Sequence, residues 1–482
     1  MNETLRGLIS LYLPSYPRTL VYMLQSTEYH IKPYLEWYWR TKDYSTVIKR
    51  RTLDKTRAAR LLLWALSLGM LLQILIGLSL IYLGFHDDLT AGVSFGLAVI
   101  VAYPVMWAHL AVVPLILGRT FIAGPAEQRL VDESKRIFAE HQGIKIAVAG
   151  SYGKTTMKEL LNTVLSQGLS VAATPANKNV SVSHARFAKK LDGNEDVLII
   201  EYGEGAPGDV RRFAEITQPT HAVITGLAPA HLDQYKSLQA AGEDIFAVAD
   251  FLHGKQVYVN DESPDIKPFL KDSYKLFNEK GALGWQVGDI SISPEATSFT
   301  LKKGKQVLNL QSGLVGRHQI GFLAFAAALG LQLGLTKEQV QDGVSQTQPF
   351  EHRMQPYQLA GAWVVDDTYN GNLEGIRAGT QLLKDLDAER KIYVTPGLVD
   401  QGEETERVHV EMGKLIAAAK PQIVVLMMNS VTKYIQEGLK KAGFGGVVRV
   451  ETDPLEFYSN LNHFVASGDL VVMQNDWTDN YA

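Results

Sequence analysis

The sequence predicts an α/β protein with a P-loop central domain and a C-terminal Rossmann-like domain, both preceded by a two-helix transmembrane hairpin. Two long stretches without formal charge lie in the first quarter of the chain. A glycine-rich loop stands between an apolar, β-rich run and a helical pattern at residues 144–167. Beyond residue 350, short apolar runs alternate with helical patterns, which is typical of a parallel sheet covered by helices.

Length and composition restrict the class of protein. A chain of 482 residues is expected to form two or three domains. The formal net charge of −4, with 20% charged residues, does not predict a nucleic-acid partner, which would need a concentrated basic surface. The absence of cysteine excludes a disulfide scaffold, a thiolate zinc site and a cysteine nucleophile.

The predicted hairpin consists of residues 61–85 and 89–118, the second stretch being interrupted by Pro104 and Pro114. At about 1.5 Å of rise per residue, each stretch can cross a bilayer core as a helix. The alternative is a pair of helices in a large soluble core. It is less favoured because buried soluble helices seldom run so far without a polar face.

The charges that flank the hairpin predict its orientation. Positive residues prefer the cytoplasmic side of a membrane, so both ends of the hairpin and all that follows it are expected in the cytoplasm. The basic residues concerned are Arg40, Lys42, Lys49, Arg50, Arg51, Lys55, Arg57 and Arg60 before the first span, and Arg119 after the second. The preceding segment is rich in aromatic residues. It could lie along the lipid headgroups or pack on the hairpin.

A strand, loop and helix pattern predicts a phosphate-binding site. The apolar run from residue 144 ends in Gly150-Ser151-Tyr152-Gly153-Lys154-Thr155-Thr156, and a helical pattern follows. Glycines let backbone N–H groups turn toward an anion, and the helix N-terminus adds partial positive charge. Lys154 can then reach the outer phosphates, and the hydroxyl of Thr155 is placed for magnesium. The loop is shorter than the general motif, since Val148 stands where its first glycine is expected.

The predicted domains are residues 1–60 (an aromatic and basic juxtamembrane segment), 61–121 (the hairpin), 140–345 (the central domain) and 346–482 (the C-terminal domain). Strands are expected at residues 256–260, 299–301, 363–365, 391–395, 423–427 and 470–473. A buried helix is expected at residues 324–333, with Gly334 as its stop.

The glycine loop resembles the ATP loop of the Mur ligases, the amide ligases that build peptidoglycan. Later segments keep the family's order: residues 201–210, 225–233, 316–318 and 351–354. The sharpest match is Asp366-Asp367-Thr368-Tyr369-Asn370-Gly371-Asn372, which resembles a stretch of the D-alanyl-D-alanine-adding member. The resemblance covers roughly residues 143–482.

The resemblance implies a site for ATP and Mg²⁺. The residues implied to bind the nucleotide are Gly150, Ser151, Tyr152, Gly153, Lys154, Thr155, Thr156, Asp367 and Asn370. Those implied to hold the metal are Thr155, Glu201 and His231, and the implied catalytic residues are Lys154, Glu201, His231 and Arg353. The sequence positions of Glu201 and His231 agree with a place in this site. Each follows a strand-like run, and open α/β sheets bind their ligands at the ends of such strands.

Four departures from the family pattern stand out. A membrane hairpin replaces the soluble domain that holds uridine diphosphate. No lysine occurs between Lys236 and Lys255, where the family has a lysine that carbon dioxide modifies to bridge the metals; Glu243 or Asp244 could supply its charge. Gln319 and Phe322 replace asparagines associated with adenine, and Gln474-Asn475-Asp476 replaces a Lys-Gly-Ser.

The resemblance implies an ADP-forming ligase of peptidoglycan precursors. It would add D-alanyl-D-alanine or a related amine to a muramoyl peptide, and the lost soluble domain suggests the hypothesis that this acceptor is lipid-linked. Two alternatives remain open: a membrane-associated poly-amino-acid synthetase of the poly-γ-glutamate type, and a non-catalytic scaffold that binds ATP. The length of the product would distinguish the synthetase, which makes a polymer, from the ligase, which makes a single addition. The loss of the family lysine favours the second, and the intact loop with Glu201 and His231 argues against it.

Overall fold

The computed structural model describes residues 3–27, 29–45, 53–86, 90–175, 178–228, 235–369, 371–399 and 401–475. The chain divides into two compact units, Met1–Arg129 and Leu130–Ala482. In the described residues of the first unit all regular secondary structure is helical, and the second unit contains two β-sheets with helices on their faces.

The N-terminal unit contains the two long apolar helices that the sequence predicts. Its helices are α1 (Glu3–Ser10), α2 (Tyr16–Ser26), α3 (Ile31–Arg40), α4 (Arg57–His86), α5 (Thr90–Leu110) and α6 (Val113–Gly118). By length and composition, the two helical stretches Arg57–His86 and Thr90–Glu140 are long and apolar enough to cross a membrane. Pro104 and Pro114 are accommodated inside α5 and in the first turn of α6, respectively.

Helices α4 and α5 pack closely through glycines. A Cβ atom at Gly96 would lie 2.6 Å from the carbonyl oxygen of Gly77, and one at Gly77 would lie 2.5 Å from Cγ1 of Ile100. Such close backbone approach is typical of helix pairs in membranes. On their outer surfaces both helices expose large apolar side chains, including Leu61, Trp64, Leu68, Leu72, Ile76, Phe95, Leu97 and Val101.

The aromatic segment before the hairpin packs on α5. The hydroxyl of Tyr16 donates to the carbonyl oxygen of Pro104 at 2.9 Å, and that of Tyr34 donates to the carbonyl oxygen of Ala108 at 3.0 Å. Both tyrosines are fully buried. Of the two arrangements that the sequence leaves open, the structure therefore has the one in which this segment packs on the hairpin.

The second unit begins within α7 (Gly124–Glu140), whose C-terminal half packs on a ten-stranded sheet. Its strands are β1 (Ile144–Ala149), β2 (Val171–Ala173), β3 (Val197–Glu201), β4 (His221–Ile224), β5 (Val257–Asn260), β6 (Lys275–Asn278), β7 (Gly281–Ala282), β8 (Trp285–Ile292), β9 (Thr297–Lys303) and β10 (Gln306–Ser312). The order is β10-β9-β8-β7-β6-β5-β4-β1-β3-β2, parallel from β6 to β2 and antiparallel from β6 to β10.

Helices cover both faces of the parallel part. They are α8 (Lys154–Leu165), α9 (Ser181–Ala188), α10 (Asp209–Thr217), α11 (Leu238–Phe251), α12 (Ile320–Gln332) and α13 (Lys337–Ser345). One core lies between the sheet and α8 and α12, and the other between the sheet and α7, α9, α10 and α11. The predicted buried helix is α12, and Gly334 follows its end in a left-handed conformation (φ +100°).

The C-terminal part forms a six-stranded sheet. Its strands are β11 (Gln355–Leu359), β12 (Ala362–Asp367), β13 (Arg390–Thr395), β14 (Ile423–Met427), β15 (Val447–Glu451) and β16 (Asp469–Gln474), and its helices are α14 (Leu373–Asp385), α15 (Thr405–Ala419), α16 (Thr432–Lys441), α17 (Pro454–Ser459) and α18 (Leu461–Phe464). The order β11-β12-β16-β13-β14-β15 is parallel except at the β11 edge. This confirms the α/β fold that the sequence predicts.

Candidate active site

The glycine loop joins the end of β1 to the start of α8 at the centre of the parallel sheet. Gly150 and Gly153 have φ values of +141° and +72°, which side chains other than glycine rarely adopt. A Cβ atom at Gly153 would also lie 2.5 Å from the ring of Phe322. The loop therefore needs glycine at these positions both for its conformation and for its packing.

Lys154, the first residue of α8, turns its ammonium group back over the loop. Its Nζ donates to the carbonyl oxygen of Gly150 at 2.6 Å and contacts both carboxylate oxygens of Glu204, at 2.7 and 2.6 Å. The side chain is 12% exposed. Lys154 therefore stands at the loop as the sequence predicts, and it has a carboxylate partner to which the sequence analysis assigned no role.

Thr155 and Glu201 meet across the ends of neighbouring strands. The hydroxyl of Thr155 donates to Oε1 of Glu201 at 3.0 Å, and Nδ2 of Asn179 approaches the same oxygen at 3.4 Å. Oε2 of Glu201 accepts no hydrogen bond among the described residues, and Nζ of Lys158 lies 3.5 Å from it. A hydroxyl and a carboxylate are the oxygen donors that magnesium prefers.

Buried groups behind Glu201 hold it in place. The backbone N–H of Glu201 donates to Oγ1 of Thr174, and its carbonyl oxygen lies 2.8 Å from Nε2 of His184. Burial lowers the pKa of His184 to about 4, so this ring is neutral at physiological pH and Nε2 carries the donated proton. Lys158, which is fully buried, donates to the carbonyl oxygen of Thr174. Glu201 is therefore a preorganised carboxylate in a fixed orientation.

A cleft of about 970 Å³ separates the central sheet from the C-terminal part. From the central side, Tyr152, Gly153 and Thr156 of the loop line it. From the C-terminal side, the lining residues include Arg353, Asp367, Tyr369 and Asn372. The structure thus brings the glycine loop to one cleft with Asp367, Tyr369 and Asn372, which lie more than 200 residues later in the chain.

Arg353 and Asp367 both lie at the C-terminal wall. The guanidinium carbon of Arg353 stands 4.5 Å from the ring centroid of Tyr369, a cation–π distance. Asp367 accepts from the backbone N–H of Met354 at 3.2 Å and from the side-chain amide of Gln474 at 2.7 Å. Burial raises the pKa of Asp367 to about 7, and these hydrogen bonds only partly offset it.

The two substitutions at the expected adenine side change its chemistry. Gln319 donates through Nε2 to Nε2 of His318 at 2.8 Å, so that ring carries its proton on Nδ1. Phe322 is buried against the glycine loop and the ring of Phe277. Both residues line the cleft together with Asn278 and Lys280. This wall therefore offers an aromatic face and a side-chain amide already engaged with His318.

The two acids proposed to replace the missing family lysine are placed differently. Glu243 is exposed and accepts from Gln239 on the outer face of α11. Asp244 is buried, and its two oxygens accept from the backbone N–H of Gly208 and the hydroxyl of Tyr235. Burial raises the pKa of Asp244. Glu243 thus faces away from the sheet, and Asp244 is saturated by structural hydrogen bonds.

Of the other predicted site residues, the structure describes Ser151 and Tyr152. The backbone N–H of Ser151 donates to the carbonyl oxygen of Gly226, and the ring of Tyr152 packs over that glycine. His231 and Asn370, which were assigned to the metal and the nucleotide, lie outside the described residues. The residue that the sequence analysis missed is Glu204. The available signal was a second carboxylate three positions after Glu201 in the same loop.

A protein-family model, the Mur ligase middle domain, matches residues 148–330. Over this segment the chain resembles the Mur ligases. The matched segment contains the glycine loop, Glu201 and Glu204, whereas Arg353 and Asp367 of the C-terminal wall lie beyond it in the chain.

Curated relatives agree with this resemblance. The UDP-N-acetylmuramoyl-tripeptide–D-alanyl-D-alanine ligase of Bacillus subtilis (strain 168) is 25% identical over 337 residues, which is 68% of this chain and 72% of the relative. The ligase of the same name from Escherichia coli (strain K12) is 28% identical over 283 residues, 57% of this chain and 62% of the relative.

Solved structures share the fold. MurF from Acinetobacter baumannii has a TM-score of 0.63 at 21% identity, covering 72% of this chain and 77% of that one. The MurF ligase from Thermotoga maritima, solved in complex with ADP, has a TM-score of 0.63 at 21% identity, with coverage of 73% and 80%. The α/β core of this chain is therefore the Mur ligase fold.

Proposed function

We propose that this chain is an ATP-dependent ligase that joins a carboxylate to an amine, with release of ADP and phosphate. The observation that carries the proposal is the shared cleft. The glycine loop lines one wall, and Arg353 and Asp367 line the other. A ligase of this kind needs a triphosphate, a carboxylate and an amine within reach of one another, and a cleft of about 970 Å³ between two α/β parts has the size for this.

In the first step, an oxygen of the acceptor carboxylate attacks the γ-phosphorus of ATP, and the bond from that phosphorus to ADP breaks. The N-terminus of α8 and the ammonium of Lys154 bind the phosphates and hold them in line for attack. Thr155 and Glu201 would hold Mg²⁺, which supplies charge neutralisation at the transferring phosphoryl group. The product of this step is an acyl phosphate.

In the second step, the amine nitrogen attacks the acyl carbon, the amine loses a proton, and phosphate leaves. Arg353 carries a fixed positive charge at the opposite wall, where it can stabilise the oxyanion of the tetrahedral intermediate. Asp367 and Asn370 would bind the nucleotide from the C-terminal part. His231 is proposed as a further metal ligand from the loop after β4.

For the substrates, we propose D-alanyl-D-alanine or a related amine as the donor and a muramoyl peptide as the acceptor. The relatives named above carry this reaction in their names. The resemblance of residues 366–372 to the D-alanyl-D-alanine-adding branch supports the same choice.

We further propose that the N-terminal unit spans the cytoplasmic membrane twice, with the ligase in the cytoplasm, and that the acceptor is lipid-linked. Helices α4 and α5 expose large apolar side chains along their length, which suits lipid better than water. Helices occupy the described residues before the central domain, where the family has a soluble domain for the nucleotide sugar.

The test is phosphate release by the full chain, purified in detergent and supplied with ATP and Mg²⁺. Muramoyl tripeptide is given in UDP-linked or lipid-linked form, with and without D-alanyl-D-alanine. Release that requires both acceptor and dipeptide supports the ligase, and a preference for the lipid-linked form supports the membrane acceptor. Activity on the UDP-linked form alone contradicts the lipid-linked acceptor. Binding of ATP without release for any acceptor and amine pair contradicts the proposed ligase.

A further inference from the structure

A second buried carboxylate stands at the phosphate loop of this chain. Glu204 lies on the loop after β3, and its side chain is only 6% exposed. Both of its oxygens contact Nζ of Lys154, at 2.7 and 2.6 Å. Glu204 therefore occupies the place where the ammonium of Lys154 would meet the outer phosphates of a bound nucleotide.

Binding of a triphosphate changes the charge balance around Glu204. Lys154 must share its ammonium with the phosphates, and a buried carboxylate then faces a polyanion. Such an arrangement is unfavourable unless a cation lies between the negative groups. The next ammonium on α8, that of Lys158, is fully buried and already contacts Glu159, Glu201 and the carbonyl oxygen of Thr174. The ammonium groups of Lys154 and Lys158 therefore already have partners. A bound divalent cation would neutralise the remaining negative charge of Glu204 and the phosphates.

The oxygen groups at the start of α8 and the end of β3, next to the loop that carries Glu204, have the chemistry of a divalent-cation site. Oε2 of Glu201 is buried without a hydrogen bond among the described residues. The hydroxyl of Thr155 stands 3.0 Å from the other oxygen of Glu201. Carboxylate and hydroxyl oxygens are hard ligands, which suit Mg²⁺ and Mn²⁺.

The two other acids considered for this role are less suitable. Glu243 is exposed on the outer face of α11, and both oxygens of Asp244 accept structural hydrogen bonds. Tyr235, which donates to Asp244, is close enough to Glu204 that the Glu204 charge contributes to raising its pKa. Of the three acids Glu204, Glu243 and Asp244, Glu204 is therefore the one that contacts the lysine of the phosphate loop.

We propose that Glu204 is a ligand of a divalent cation at the phosphate loop and supplies the negative charge that a modified lysine supplies elsewhere in the family. The proposal rests on the proposed nucleotide chemistry of this site. It also implies that the site needs no carbon dioxide, because a glutamate is ionised without modification.

The first test measures metal binding and needs neither acceptor nor amine. Mn²⁺ is titrated into the full detergent-purified chain with the β,γ-imido analogue of ATP, and free Mn²⁺ is followed by electron paramagnetic resonance. Glu204→Gln should lose one Mn²⁺ or bind it roughly 10- to 100-fold more weakly. The matched control is Glu243→Gln, which removes an exposed carboxylate nearby and should bind Mn²⁺ like the wild type.

Two outcomes would overturn the proposal. One is unchanged Mn²⁺ number and affinity in Glu204→Gln. The other is unchanged Mn²⁺ binding together with tighter binding of the nucleotide analogue, which would show Glu204 to be a counterion that ATP displaces. Since the readout is metal binding, a chain without ligase activity can still support or refute the role of Glu204.

The second test uses the unmodified protein and so does not depend on the folding of a variant. Mn²⁺ binding in the presence of the analogue is measured in buffer depleted of carbon dioxide and again after addition of bicarbonate. We expect the same number and affinity in both. Restoration of a metal site by bicarbonate would mean that a carbamylated lysine serves the metal, and would contradict the proposal.

Discussion

The side-chain amide of Gln474 donates to Oδ2 of Asp367 at 2.7 Å, at the point where β16 runs beside β12. The carbonyl oxygen of the same amide accepts from the buried hydroxyl of Tyr393. Gln474 thus uses both ends of its amide to join two buried groups. Because this partner is neutral, it does not remove the cost of ionising Asp367, whose pKa burial raises to about 7.

The raised pKa of Asp367 predicts a pH-dependent stability. In the unfolded chain an aspartate has a pKa of about 3.9, so between pH 4 and 7 the folded state binds more protons. The free energy of unfolding should therefore fall as pH rises through this window, by about 4 kcal/mol from this group at 1.36 kcal/mol per pH unit, and level off above about pH 8. Thermal unfolding of the full chain in detergent at pH 5 to 8 measures it.

Asp367→Asn should flatten this slope, because an amide does not titrate. Asp289→Asn is the control, since Asp289 is exposed and its hydrogen bond with Lys302 lowers its pKa, which places its titration below the window. An Asp367→Asn variant with the slope of the wild type would show that another group titrates there.

Thr155→Val should weaken the metal dependence of ATP turnover. Valine keeps the shape of threonine but cannot offer an oxygen to a cation or donate to Glu201. The Mg²⁺ concentration for half-maximal phosphate release should rise roughly 10- to 100-fold. Thr163→Val, the same change two turns further along α8, should leave this concentration unchanged.

Arg353→Lys should lower the rate of phosphate release about 10²-fold or more, because a lysine keeps the charge but loses the planar guanidinium. The contact of Arg353 with the ring of Tyr369 orients that guanidinium. Tyr369→Phe keeps the aromatic ring and is the control, with a rate near that of the wild type. An equal loss in both variants would mean that the tyrosine hydroxyl is required as well, and a rate for Arg353→Lys near that of the wild type would contradict the role of the guanidinium.

Gly96→Leu should separate helices α4 and α5. The added side chain would collide with the carbonyl oxygen of Gly77, which lies 2.6 Å from the position of a Cβ atom. In membranes, we expect faster proteolysis of the N-terminal unit than in the wild type. Gly118→Ala is the control, since a Cβ atom there meets nothing within 4 Å. Equal proteolysis in the two variants would contradict the packing of this hairpin.

Local sequence patterns were sufficient for the elements and for part of the site. Periodicity and apolar runs predict α12, β13 and β14 within a few residues, because each buries its own repeating face. The loop from Gly150 to Thr156 is predictable for a similar reason. Its function depends on the conformation of a short continuous segment, and the residues that permit that conformation are adjacent in the chain.

Contacts between distant segments required the tertiary structure. The pairing of Lys154 with Glu204 spans 50 residues and that of Asp367 with Gln474 spans 107, and no local pattern records either one. The same holds for the choice between Glu243 and Asp244, which are adjacent in sequence although the first is exposed and the second is buried. Strand order and helix rotation bring such side chains together, and those depend on how the whole core packs.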